Sequence, residues 1–182
     1  MDMTRGSLKK QILFFSIPLM LSNLLQVLFN MSDIAVIGQF AGAMSLGAVG
    51  STTTLISMYT GFLIGLSGGI NVLTALYIGA RNRKSVSETV HSAFLVSLAV
   101  GLILLILGVS TSRGVLVLLN TKEELIDKAA LYIRIYFLGI PALALYNFGN
   151  AVFSAAGDTG RPLRYLFLSG IVNVRLMNGY GD

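Results

Sequence analysis

Apolar residues run in blocks separated by short polar interruptions: 13–38, 46–77, 90–110, 129–156 and 162–174 are each dominated by Leu, Ile, Val, Phe, Ala and Gly. A helix that crosses a bilayer needs roughly 20 mostly apolar residues. The blocks therefore predict about five membrane-spanning helices, the last of them incomplete, which fill nearly the whole chain. Within two blocks the polar positions are ordered. Ser16, Asn23, Gln26, Asn30 and Asp33 fall on one face of a helix, within an arc of roughly 100°. In the fourth block Tyr132, Tyr136, Gly139, Asn147, Asn150 and Ser154 fall within a similarly narrow arc. Two polar seams predict one shared interior, with the other faces turned to lipid.

Hydrogen bonds between amides or hydroxyls of neighbouring membrane helices are worth roughly 0.6–2 kcal/mol. That ordinary role accounts for the individual Asn and Ser positions. Asp33 differs, because an ionisable group at the centre of a membrane helix costs about 2.5–3.5 kcal/mol on insertion scales and faces a bundle interior or a wet cavity. Such a carboxylate is held by a cation or takes up a proton, so Asp33 is a candidate proton or sodium site. The other reading is an interfacial aspartate, since ~33 Å of helix separates it from Gln11.

Gly61, Gly65 and Gly69, at four-residue intervals with Gly68 beside them, predict close helix packing in the second block and a bend at the Gly68–Gly69 pair. Pro18 and Pro141 lie inside blocks and predict kinks, because each removes an amide donor. Gly157-Asp158-Thr159-Gly160-Arg161-Pro162 reads as a connector: Gly157 ends a helix in the left-handed conformation, Asp158 or Thr159 caps the next, and Pro162 suits its first turn.

Composition agrees with a membrane protein: 54% of residues are hydrophobic, 12% are charged and the mean hydropathy is +0.78. The absence of cysteine and the single histidine exclude disulfides, thiolate metal sites and most imidazole ones. No nucleophile–base pair, phosphate loop or metal cluster stands at usable spacing, so an enzyme is not expected, nor any cofactor beyond a coupling ion. Lys9 and Lys10 before an apolar run, with Ala41 and Ala43 after it, imitate a signal peptide, but the run far exceeds a secretory core of about 7–15 residues and reads as a retained first helix. Eight of the thirteen basic residues (Arg5, Lys9, Lys10, Arg81, Arg83, Lys84, Arg161 and Arg164) fall on one side of the expected topology. The positive-inside rule then predicts a multi-pass cell-membrane protein with a cytoplasmic N-terminus. The formal charge of +5 follows from that topology beside an anionic bilayer and gives no support to nucleic-acid binding.

Taken in order, Pro18, Asn23-Leu24-Leu25-Gln26, Asn30, Asp33 and Gly38, then Ile78-Gly79-Ala80, Asn150-Ala151, Gly157-Asp158-Thr159 and Pro162 resemble the multidrug and toxic compound extrusion (MATE) transporters over residues 7–174. The resemblance implies an all-α polytopic bundle, about five helices of a six-helix N-terminal lobe. It also implies a two-lobed antiporter that exports organic, often cationic compounds in exchange for protons or sodium. Asp33 matches the acidic residue of the family's first helix, Asn173 matches its polar partner in the fifth, and Gln26 lies on the cavity wall. With the two seams, the expected cavity residues are Asn23, Gln26, Asn30, Tyr136, Asn147 and Asn150.

The chain departs from the family in three places. Its 182 residues provide four complete spans and part of a fifth, whereas alternating access needs two halves rocking about a central site. Met177 stands where the family pattern often has a second aspartate, and Arg175 enters an apolar helix. The expected organisation is thus a partial lobe over 1–174 and a divergent tail over 175–182. Two alternatives remain at this stage: a lipid-linked oligosaccharide flippase of the same superfamily, or a fragment or assembly subunit that transports nothing alone. Flippases tend to place cationic side chains in the cavity; here the spans carry only Arg134 and Arg175, which favours cationic or neutral substrates.

Overall fold

The computed structural model describes residues 8–40 and 42–178. Among the described residues there are six helices and no strand: α1 (Leu8–Phe40), α2 (Gly42–Gly79), α3 (Arg83–Leu118), α4 (Glu123–Leu138), α5 (Ile140–Ala155) and α6 (Gly160–Asn178). The stretches Ile12–Phe29, Ser45–Gly79 and Arg83–Leu118 are each long and apolar enough to cross a membrane, and α4 with α5 forms a fourth span as a pair bent by 46°. α6 is 19 residues long and includes Arg161, Arg164 and Arg175; its packing, not its composition, places it in the bundle. It continues through Arg175 to Asn178 without interruption. Residues 179–182, the rest of the expected tail, lie outside the described residues.

The 129–156 block is therefore a broken helix, not a straight one. Gly139 separates α4 from α5, and its amide makes a tight 3.0 Å bond to the Tyr136 carbonyl. Pro141 is the second residue of α5, a position at which a missing N–H removes no intrahelical bond. Pro18 instead lies within an unbroken α1, where the Ser22 hydroxyl donates to its carbonyl at 2.9 Å.

Three helix ends share one device. Arg81, Asn120 and Gly157 take left-handed φ values of 53°, 54° and 77°. Just beyond them the amides of Asn82, Thr121 and Asp158 reach back to the carbonyls of Tyr77, Leu116 and Phe153 at 3.0, 3.1 and 2.9 Å, closing Schellman motifs. Asp158 then caps α6, accepting the Arg161 amide at 3.2 Å and pairing with the Arg161 Nε at 2.9 Å. Thr159 does something else. Its buried hydroxyl donates to the Phe15 carbonyl at 3.2 Å, fastening the α5–α6 turn to the beginning of α1.

α2, α3, α4 and α5 make the core. α3 turns inward a line of mainly small residues, Ala93, Ser97, Gly101, Leu104, Gly108, Ser112 and Leu116, which lets neighbouring helices approach closely. A Cβ at Gly101 would lie 2.8 Å from the Pro141 Cα, and one at Gly108 would enter the Phe137 ring. Phe137 is fully buried and meets Tyr59 edge to face at 4.8 Å. The expectation that the α2 glycines pack tightly is corrected: Gly61, Gly65, Gly68 and Gly69 are exposed, no described residue lies within 4 Å of a Cβ built on them, and α2 does not break there. The buried line of α2 runs through Ala48, Thr52, Leu55, Leu63, Ile70 and Thr74, and Gly61 and Gly65 lie about 160° around the helix from Leu63.

The backbone of α1 lies against α2 and α6, and that of α6 against α1 and α5, among the described residues. Phe15 meets Thr159 near the start of this pair and Phe29 meets Gly170 further along, so α1 and α6 run parallel.

Candidate functional site

The α1–α6 pair stands away from α4 and α5, with α2 bridging the gap. Two hollows of about 500 and 490 Å³ open there and share Thr60, Ile64 and Tyr136, so they form one continuous cleft. Ile34, Thr53, Ser57 and Tyr132 line the first hollow; Gln26, Tyr146, Asn147, Tyr165 and Ser169 line the second. The hydroxyls of Tyr136 and Thr60 meet at 3.3 Å where the two join. Gln26 of α1 and Tyr146 of α5 are hydrogen-bonded side chain to side chain across the second hollow. Asn147 donates to the Leu143 carbonyl at 2.9 Å, and its amide oxygen has no partner among the described residues. Among the described residues no charged side chain lines either hollow, and no three His, Cys, Asp or Glu side chains gather.

Of the residues expected in the cavity, Gln26, Tyr136 and Asn147 line the cleft. Asn23 is exposed and lines neither hollow. Asn150 is half-buried, accepts the Ser154 hydroxyl at 3.5 Å, and lines neither. The second seam therefore splits within α5 and not at the 46° break: Tyr132 and Tyr136 of α4 share the cleft with Asn147 of α5, whereas Asn150 and Ser154, further along α5, line neither hollow. Asn30 and Asp33 belong to α1, but their side chains lie outside the described residues; Ile34, next to Asp33, lines the first hollow. Asn173 is partly buried on α6 and lines neither hollow.

The parallel register connects Asp33 and Asn173 in another way. Position 33 is one turn beyond Phe29 and position 173 one turn beyond Gly170, and Phe29 and Gly170 touch. Positions 33 and 173 thus fall at the same level of the α1–α6 pair. A third polar stripe had a readable signal: Thr53, Ser57 and Thr60 repeat at intervals of four and three within the second block, the spacing of one helical face. Arg134 stays outside the cleft, exposed on α4 with its Nε donating to the Ser112 hydroxyl at 3.4 Å.

Long apolar helices enclosing a polar cleft, one of them broken beside it, define a polytopic membrane bundle with an internal cavity. Its family follows from comparison with known proteins. The MatE family model matches residues 18–177, and the chain belongs to that family. It is 32% identical over 175 residues to a Bacillus subtilis protein described as "Probable multidrug resistance protein YpnP", an alignment that covers 96% of this chain and 39% of that one. It is 27% identical over 174 residues to YoeA of the same organism, described in the same terms, with 96% and 38% covered. A crystal structure of MATE in complex with MaD3S superposes with a TM-score of 0.87 at 26% identity, covering 95% of this chain and 39% of that one. The chain thus spans about two fifths of the length of these relatives, and its helices match the N-terminal lobe of the MATE fold.

Proposed function

We propose that the chain acts as the N-terminal lobe of a cation-coupled exporter of organic compounds, with α1–α6 forming the lobe. The cleft carries this reading. It is large enough for a small organic molecule and is lined, among the described residues, by aromatic rings, hydroxyls and amides without a fixed cation, a surface suited to neutral or cationic compounds. A wall with no cation among its described residues offers little to a pyrophosphate-linked substrate, which argues against the flippase alternative. The relatives named as multidrug resistance proteins support a drug-like cargo.

Asp33 is the coupling carboxylate in this reading and Asn173 its polar partner, brought to the same level by the α1–α6 register. A proton or sodium ion exchanged at Asp33 would bias how α1 packs on α2 and α6, and α1 forms one wall of the cleft. Lys9, Arg81, Arg83, Lys84, Arg161 and Arg164 gather at the end of the bundle where α1 begins, which supports a cytoplasmic N-terminus.

A chimera tests the proposal. Residues 18–174 would replace the matching segment of the Bacillus subtilis YpnP protein in efflux-deficient cells, with dye accumulation as the readout. The chimera is expected to lower accumulation of a cationic dye, and Asp33→Asn, which keeps the shape but removes the titratable charge, is expected to cut efflux about tenfold or more. Efflux by the Asp33→Asn chimera that is unchanged across pH would reject Asp33 as the coupling site, and a properly inserted chimera that extrudes no dye would reject the exporter lobe.

A further inference from the structure

We propose that the α2–α3 turn binds the phosphate headgroup of an anionic phospholipid. A hollow of about 470 Å³ opens between the last turn of α2 and the first turns of α3, lined by Tyr77, Ile78, Arg81, Arg83, Val86 and Ser87. Three cationic side chains belong to this turn. Lys84 has an acidic neighbour, with its Nζ 3.9 Å from the Glu88 carboxylate. Arg81 and Arg83 have no ion pair and no side-chain hydrogen bond among the described residues.

Two guanidinium groups on one hollow repel each other unless an anion lies between them. A phosphate relieves that repulsion and accepts charge-assisted N–H···O bonds from both planar forks, a geometry that arginine suits better than lysine. The Tyr77 and Ser87 hydroxyls line the same hollow and add donors. Arg161, at the same end of the bundle, is already neutralised by Asp158 at 2.9 Å, and Arg164, unpaired among the described residues, is the single cationic residue of a hollow otherwise lined by leucines and Phe167, so two unpaired arginines together are a property of the α2–α3 hollow.

The remaining wall identifies the class of anion. Ile78 and Val86 are apolar and give a free inorganic phosphate nothing, whereas a phospholipid lays its glycerol and first acyl carbons against them. Both helices are long and apolar enough to cross a bilayer, so the turn joining them lies at the boundary where headgroup phosphates are concentrated. The inference does not rest on the transport reading.

The test uses the purified chain in phosphatidylcholine nanodiscs with increasing phosphatidylglycerol, reading the phosphatidylglycerol retained per chain by native mass spectrometry. Arg81→Gln combined with Arg83→Gln is expected to weaken phosphatidylglycerol binding about tenfold or more. Lys84→Gln removes a charge from the same turn but not from the hollow, and is expected to weaken binding less than about threefold. No loss in the double variant, or an equal loss in Lys84→Gln, would overturn the site. Inorganic phosphate at the same phosphate concentration is expected to leave the bound lipid in place, and complete displacement would overturn the lipid assignment. Circular dichroism reports on folding, and if the double variant loses helix, Arg83→Gln alone provides the same contrast.

Discussion

Thr74 is buried on α2, and its hydroxyl has no hydrogen-bond partner among the described residues. Several other hydroxyls in these helices return to a carbonyl one turn back, as Ser22 does to Pro18 at 2.9 Å and Thr111 to Leu107 at 2.7 Å. A buried, unpaired hydroxyl costs about 1–3 kcal/mol. Thr74→Val keeps the shape and removes that cost, so thermal unfolding in detergent is expected to shift upward, by about 1 kcal/mol of stability; a loss of similar size would mean the hydroxyl is satisfied. Single residues also show which inferences are local. The left-handed Gly157 was readable because the conformation depends on its own backbone. The role of Thr159 was not, because its partner Phe15 lies 144 positions away in sequence.

At the scale of elements, the chain offers two small-residue stripes of similar spacing, on α2 and on α3, and only the one on α3 is used in packing within this chain. Spacing alone cannot distinguish them, since both satisfy the same rule; what separates them is which face meets a neighbour. Gly108→Ala is expected to destabilise the bundle by about 1–3 kcal/mol, because its methyl group meets the buried Phe137 ring. Gly65→Ala has open space around it and is expected to be neutral or to gain up to about 1 kcal/mol, because alanine is the better helix former. Chemical unfolding of the two variants in the same detergent checks the order, and a reversed order would return the packing role to α2. The broken span is an element-scale lesson as well. Pro141 signalled the disturbance, and the break falls two residues before it at Gly139, whose amide turns to the carbonyl three residues back.

For the whole molecule, the firm core of α2–α5 contrasts with the flanking α1–α6 pair. Only 6% of the Ile12–Phe29 stretch of α1 is buried. Few interactions tie the pair to the core: Thr159 to Phe15 at the turn and Gln26 to Tyr146 across the cleft are two of them. Tyr146→Phe deletes the hydroxyl that meets Gln26 and leaves the ring. An interhelical hydrogen bond of roughly 0.6–2 kcal/mol predicts about threefold to thirtyfold faster amide exchange in α1 and α6, with α3 unchanged. Hydrogen-exchange mass spectrometry reads both regions at once, and unchanged protection in α1 would show that the bridge does not hold the pair. A wall that moves on a fixed core is the arrangement that coupling at Asp33 would require.

The helical class, the membrane setting, the positions of most helices and the family were determined by the sequence, because hydropathy and local turn chemistry depend on residues close together in the chain. Gln26, Tyr136 and Asn147, which lie on the two periodic seams, line the cleft. The tertiary structure decided which small-residue stripe packs, where the fourth span breaks, that Thr60 and Tyr146 join the cleft, and that positions 33 and 173 share one level. Each of these depends on which faces meet across the bundle, and such contacts join residues that local periodicity treats as independent.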